Sequence, residues 1–265
     1  MAVREGSPPA AKAITQRLSR RPDIAEVKGG INICGISIGV LSHGSYFPKP
    51  PGHIKNPSGL PFTLAYEITE GLTVPRLMTD PSPGMIEPLL AAARRLERAG
   101  VKAITGSCGF LALFQKDIAA AVSVPVFASA LIQAPLIHAM RGRPVGVLTA
   151  SAAALTGAHL SGVGAGDLPI VVEGMDETEE FASVILRGER NDMDLAKIEA
   201  ELLAAGRRLI DRAPEVGAVL LECTDLPPYA HALQRELGRP VFDIITLAGM
   251  VHAAVLRRPY SGFIN

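Results

Sequence analysis

Short continuous apolar runs alternate along this chain with longer stretches whose apolar residues recur every three to four positions. The short runs, bounded by glycine and proline, read as strands covered on both faces; the longer stretches read as amphipathic helices. Residues 36–41 (ISIGVL) form the first predicted strand, and 42–60, dense in proline and glycine, a long loop. A second strand is expected over 62–68. Ser82 is then placed to cap a helix with Pro83 in its first turn, Ile86, Leu89, Leu90, Ala93 and Leu96 as its stripe and Gly100 as its end. Strand 101–105, a Gly106–Gly109 turn, helix 110–122, strand 125–128 and helix 129–140 follow. The pattern then restarts: strand 144–149, helix 151–160, strand 168–172, helices near 177–187 and 194–211, strand 216–221, helix 227–237, strand 241–244 and helix 246–256. Strands alternating with helices imply parallel sheets.

An internal repeat sharpens this picture. Gly39-Val40-Leu41-Ser42 answers Gly146-Val147-Leu148-Thr149, and Cys108 answers Cys223. Seventeen residues after each cysteine stands the same tripeptide, Pro125-Val126-Phe127 and Pro240-Val241-Phe242. The predicted fold class is therefore α/β, with two pseudo-symmetric Rossmann-like or flavodoxin-like halves, parallel sheets and a cleft between them. The boundaries read as an N-terminal arm over 1–30, a first half over 31–140 and a second over 141–245. A C-terminal helix and tail, 246–265, can return to the first half.

Composition narrows the function classes. Apolar residues are 48% and aromatics 5%, with no tryptophan, so aliphatic side chains must fill the core. Lys+Arg and Asp+Glu are both 26, and a neutral chain offers no electrostatic case for nucleic acid or a membrane surface. No apolar run reaches the length of a membrane span. The first thirty residues include Glu5, Asp23 and Glu26 and lack a signal-peptide core. The three cysteines have no metal-ligand spacing, which points to reduced thiols, no metal, and a cytoplasmic setting. Gly162-Val163-Gly164-Ala165-Gly166 follows a predicted helix rather than a strand, so it is no nucleotide fingerprint.

The candidate chemistry lies in the matched cysteines. Each sits at the carboxyl end of a strand, just before a helix, where open parallel sheets bind ligands. The helix start favours a thiolate, and a free thiol titrates near about 8.5. Two similar halves would point Cys108 and Cys223 at one cleft from opposite sides. That suits removing a proton from one face of a carbon and returning it to the other. Cys34 has no repeat partner and reads as a small buried hydrophobe. Glu222 and Asp225 flank Cys223 and either raise its pKa or face solvent. His43 and His53 lie in the long loop, at the surface or at the cleft. His138, His159, His231 and His252 fall on helices and read as structural or solvent-facing.

The segments Ala103-Ile104-Thr105-Gly106-Ser107-Cys108-Gly109 and Val219-Leu220-Leu221-Glu222-Cys223-Thr224 resemble the aspartate/glutamate/hydantoin racemase superfamily, over roughly residues 35–250. The resemblance implies a cofactor-independent racemase or epimerase acting beside the carboxylate of an amino acid or related 2-substituted acid. Cys108 and Cys223 would be its two acid/base residues. It also implies substrate contacts from Thr224, Ser107, Gly109, Thr149 and Ser151, with Ser42 and Asn56 as further candidates. The pattern departs from the family in two places. Gly109-Phe110 stands where Asn-Thr typically follows the first cysteine, and Ser42-His43-Gly44-Ser45 with a Pro-Gly-x-Ile-x-Asn loop follows the first strand. The substrate is therefore not carried over.

Three other functions remain open on the residues. One is a maleate-isomerase-like enzyme of the same superfamily. Another is a decarboxylase-like member, although such members use one cysteine. The third is a non-catalytic small-molecule binding protein, which two lobes around a cleft would also suit. A small-molecule carboxylate is the expected partner, and homodimerisation stays open.

Overall fold

A computed structural model of the chain describes residues 33–263, apart from Glu70 and residues 80–82. The expected N-terminal arm and the Ser82 cap lie outside the described residues.

Eight strands form two four-stranded parallel sheets. In the first, β1 (Ile38–Ser42), β2 (Leu64–Ile68), β3 (Ala103–Gly106) and β4 (Val126–Phe127) stand in the order β2-β1-β3-β4. In the second, β5 (Val145–Thr149), β6 (Ile170–Gly174), β7 (Ala218–Leu221) and β8 (Val241–Phe242) repeat that order as β6-β5-β7-β8. The central strands β1, β3, β5 and β7 are buried throughout, as their unbroken apolar runs require. This is the α/β architecture that the repeat predicted.

The helices are α1 (Val74–Thr79), α2 (Ile86–Ala99), α3 (Gln115–Ala121), α4 (Ala134–Arg141), α5 (Gly157–Gly162), α6 (Leu195–Arg212), α7 (Ala230–Leu237) and α8 (Ile244–Val255). α2 buries Leu89, Ala92, Ala93 and Leu96 of its stripe and ends on Gly100, whose φ of 103° is left-handed. The matched glycines of the repeat have a packing reason. A Cβ on Gly39 would lie 2.9 Å from Leu96, and one on Gly146 2.7 Å from Leu209, so each lets a helix leucine close onto its strand. α8 runs back to the first sheet, where His252 bonds Ser37 Oγ through Nδ1 at 2.7 Å and stacks on Phe62.

Several expected elements differ in detail. The helices expected from 110, 129 and 227 begin as 3-10 turns, Gly109–Phe114, Ala130–Gln133 and Pro227–Tyr229, before turning α-helical. β3 and β7 start two residues later than expected, because Val101 and Val216 close the preceding turns through Val101 N–H to Leu96 O and Val216 N–H to Ala213 O. The helix expected over 151–160 shrinks to α5. The Ala152 and Ala154 amides are taken by Asp176 Oδ2 and Ser151 Oγ, and Thr156 with His159 starts the helix by a capping box. In place of a helix over 177–187 there is one π-helical turn, Ala182–Leu186. The Glu201 carboxylate takes the preceding amides of Glu180 and Phe181. α1 was not expected; six residues are too few for a periodic signal. Cys34, expected to be buried, is exposed. It precedes β1.

Among the described residues no helix is long and apolar enough to cross a membrane.

Candidate active site

The two sheets turn the ends of β3 and β7 toward each other, and each half covers the other's cysteine turn. α5, from the second half, lies on the 3-10 turn after Cys108, so close that a Cβ on Gly162 would stand 2.4 Å from Ala112 O. The Pro-rich loop of the first half lies on the turn after Cys223, where a Cβ on Gly52 would stand 3.0 Å from Pro228 Cα. Thr224 Oγ1 donates to Ser107 O at 2.7 Å and ties the two cysteine turns directly.

Between them is a cavity of about 10 Å³, lined by both thiols with Ser107, Gly109, Glu222, Thr224, Asp225, His43, Phe110, Ala150, Val74 and Ile185. That is room for about one water. Val74 of α1 and Ile185 of the π-helical turn also line an outer cavity of about 170 Å³ and so form the wall between the two. A π-turn beside a cleft recurs at functional sites.

Of the catalytic and substrate-contact residues expected from the sequence, Cys108, Cys223, Ser107, Gly109 and Thr224 meet in this cavity. The others stand behind it. Thr149 Oγ1 donates to Glu222 Oε2 at 2.8 Å. Ser42 Oγ donates to His43 O, and Ser151 Oγ accepts from Ala154 N. Asn56 staples the loop, donating to Lys49 O and accepting from Ser58 N and Oγ.

The long loop supplies residues that were left open or passed over. His53 is buried, and its Nδ1 accepts the Lys55 N–H at 2.8 Å, so its proton is on Nε2, which donates to Asp225 Oδ1 at 2.7 Å. Asp225 Oδ2 in turn accepts the Cys223 thiol at 3.4 Å. His43 is buried too, and its Nδ1 faces the Lys55 ammonium at 3.1 Å, which leaves its own proton on Nε2. Lys55 also donates to His43 O at 2.6 Å and Ser45 Oγ at 2.9 Å. The signal for Lys55 in the sequence was weak: a single lysine in a Pro-Gly-x-Ile-x-Asn loop.

Burial dominates the electrostatics. It pushes both thiols up. Glu222 adds to this at Cys108, and Asp225 followed by Glu222 does so at Cys223. Opposing contributions differ between the two. Cys108 accepts the Phe110 N–H and feels the Lys55 charge, whereas Cys223 accepts the Asp225 N–H and is raised further by Cys108. Burial, then Lys55, holds His43 down at about 3, so it is a neutral donor. Burial lowers Lys55 to about 8. Glu222, 1% exposed, is raised by burial to about 7. Burial opposes the charge of Asp225, but the hydrogen bonds from His53 and from the Cys223 thiol hold its carboxyl low. Among the described residues no group of three His, Cys, Asp or Glu side chains is placed to hold a metal ion.

Paired parallel sheets with a thiol from each half at a shared cleft define a class of two-lobed α/β enzymes. The family described as Asp/Glu/hydantoin racemase matches residues 60–250, and the chain belongs to it. Its fold is shared with arylmalonate decarboxylase, at a TM-score of 0.54 and 17% identity over 83% of this chain and 92% of that one. An aspartate racemase homologue from Pyrococcus horikoshii OT3 shares it at 0.50 and 20%, over 81% and 98%.

The curated relatives point elsewhere in function. Dimethylsulfoniopropionate lyase 5 of Emiliania huxleyi (strain CCMP1516) is 34% identical over 239 residues, 85% of this chain and 47% of that protein. The dimethylsulfoniopropionate lyase of Durusdinium sp. clade D is 29% identical over 240 residues, 87% of this chain and 79% of that protein. The chain thus spans about half the length of the first relative. These relatives overturn the expectation of a racemase or epimerase, because each is described as a dimethylsulfoniopropionate lyase. A lyase of this superfamily lies nearer the decarboxylase-like alternative.

Proposed function

We propose that this protein is a lyase that cleaves dimethylsulfoniopropionate or a close 3-sulfonio carboxylate by elimination. The observation that carries this reading is the inequality of the two thiols in one cavity. A racemase needs two exchangeable acid/base groups, because either enantiomer must be deprotonated. An elimination needs one base. Each thiol accepts an N–H, but Cys108 also feels the Lys55 charge and is suited to be that base, while Cys223 is held as a thiol by Asp225.

The Cys108 thiolate removes a proton from the carbon next to the carboxylate. Those C–H electrons form the C2–C3 double bond, and the C3–S pair leaves with dimethyl sulfide. Acrylate and a protonated Cys108 remain, and the thiol returns its proton to solvent before the next cycle. The departing sulfide is neutral and needs no proton. Charge develops on the substrate carboxylate, which the neutral His43 Nε2–H is suited to hold, with Lys55 fixing that tautomer through Nδ1. The substrate enters by displacing Val74 and Ile185, since the cavity between the thiols has room for no more than about one water.

The test is incubation of the purified protein with dimethylsulfoniopropionate, with dimethyl sulfide followed in the headspace and acrylate by NMR. Equal amounts of the two support the reading. Turnover of no sulfonio carboxylate would reject it.

A further inference from the structure

Glu222 is a buried carboxyl that the elimination does not use. It stands directly before Cys223 and lines the cavity of both thiols. Its Oε2 is bonded by Thr149 Oγ1, and the Ala150 N–H also reaches the carboxylate. Its Oε1 is buried without a hydrogen-bond partner. A buried acceptor left unpaired is costly, so the arrangement calls for an explanation. The position is also specifically made. A Cβ on Gly109 would lie 2.0 Å from Glu222 Oε1 and 2.4 Å from Glu222 O, so only glycine after Cys108 leaves this carboxyl its place. The other carboxylate of the cavity is occupied, with Asp225 Oδ1 on His53 and Oδ2 on Cys223.

We propose that Glu222 is the counter-charge that selects substrates whose positive centre has no hydrogen to donate, a sulfonium or quaternary ammonium group. Such a cation cannot satisfy an acceptor by a hydrogen bond. It pairs through charge alone, in a low-dielectric site where charge counts for most. Phe110 lines the same cavity, and an aromatic ring is a neighbour that these cations favour. This inference rests on the sulfonio-carboxylate reading of the site.

The groups around Glu222 mostly oppose its charge. Asp225 and the two thiols face Glu222 from the cysteine turns, and only the Thr149 hydroxyl and the Ala150 N–H favour its ionised form. An arriving cation tips that balance, so Glu222 gives up its proton as the ligand docks. The ligand's own charge then offsets the repulsion that Glu222 would otherwise exert on the Cys108 thiolate.

The experiment compares two unreactive carboxylates of one shape, 3-(trimethylammonio)propanoate and 4,4-dimethylpentanoate, by calorimetric titration at pH 7. Wild type should bind the cationic ligand more tightly by roughly tenfold or more, and release protons on doing so. Glu222→Gln should lose both the preference and the proton release while still binding the neutral ligand. Glu222→Asp, which keeps the charge, should retain part of the preference. A preference that survives Glu222→Gln overturns the inference, as does a wild type that binds neither compound at millimolar concentration. The two readings fail separately. Dimethyl sulfide release without charge preference removes Glu222 from recognition and leaves the lyase. A charge preference dependent on Glu222, without dimethyl sulfide release, leaves a cationic carboxylate site and removes the lyase.

Discussion

The two cysteine turns share a backbone plan but differ in chemistry. In each half the thiol accepts the N–H of the residue two positions on, Phe110 or Asp225. The other half supplies a buried histidine to that same residue. His53 and His159 each accept a nearby backbone N–H at Nδ1, from Lys55 and Thr156, and each therefore carries its proton on Nε2. At Cys223 that proton meets the Asp225 carboxylate at 2.7 Å. At Cys108 the imidazole packs T-shaped on the Phe110 ring, with centroids 5.5 Å apart, and Nε2 has no hydrogen-bond partner. The duplicated frame keeps two thiols at one cleft, and the substitutions at these two positions make one polar and one apolar. A symmetric pair serves a reaction that must run from either face; an unequal pair serves one that runs from a single face.

The largest effect should separate the thiols. Cys108→Ser is expected to lower dimethyl sulfide production by about 10²–10⁴-fold, the range for loss of a general base, and Cys223→Ser by less. The reverse order, measured at saturating substrate, would move the base to Cys223. Equal losses would restore the symmetric reading of the site.

The second effect concerns Glu222, whose counterpart in the first half is Ser107. A carboxyl raised from 4.5 to about 7 in the folded state stabilises the fold below its unfolded value and loses that stabilisation as pH rises through about 7. Wild type should therefore lose stability relative to Glu222→Gln between pH 5 and 8, by about 1–3 kcal/mol. Denaturant melts of the two proteins at both pH values measure it. Parallel curves would mean that Glu222 is ionised at every pH in that window.

The smallest effect compares the histidines. His53→Ala leaves Asp225 with one partner fewer and should cost about 2 kcal/mol, and it should expose the 48–57 loop to limited proteolysis. His159→Ala removes a cap and a ring contact and should cost about 1 kcal/mol without that cleavage. Equal costs and equal cleavage would mean that the Asp225 bond adds nothing to the aromatic one.

Much of this was legible in the residues. The spacing Cys108 to Pro125 and Cys223 to Pro240, with Gly39 and Gly146 in matching strands, by itself implies two halves and a thiol pair. The helix stripes of α2 and α6 were readable because each exceeds three turns of regular period. The short elements were not. The π-helical turn at Ala182–Leu186 and the shortened α5 depend on carboxylates of Glu201 and Asp176, which are far along the chain from the amides they take. The contrast between Asp225 and Phe110 could have been seen in the sequence as a mismatch in the repeat, but its partners could not.

Local chemistry and periodicity were thus enough for the class of fold, the duplication and the two thiols, because hydrophobic period and glycine or proline placement act over a few residues. Folding alone brought His53 to Asp225, 172 positions apart, and Glu222 against Gly109, 113 apart. It also made the thiols unequal. Burial and the charges that share a cavity set a group's proton affinity, and neither is a property of sequence neighbours.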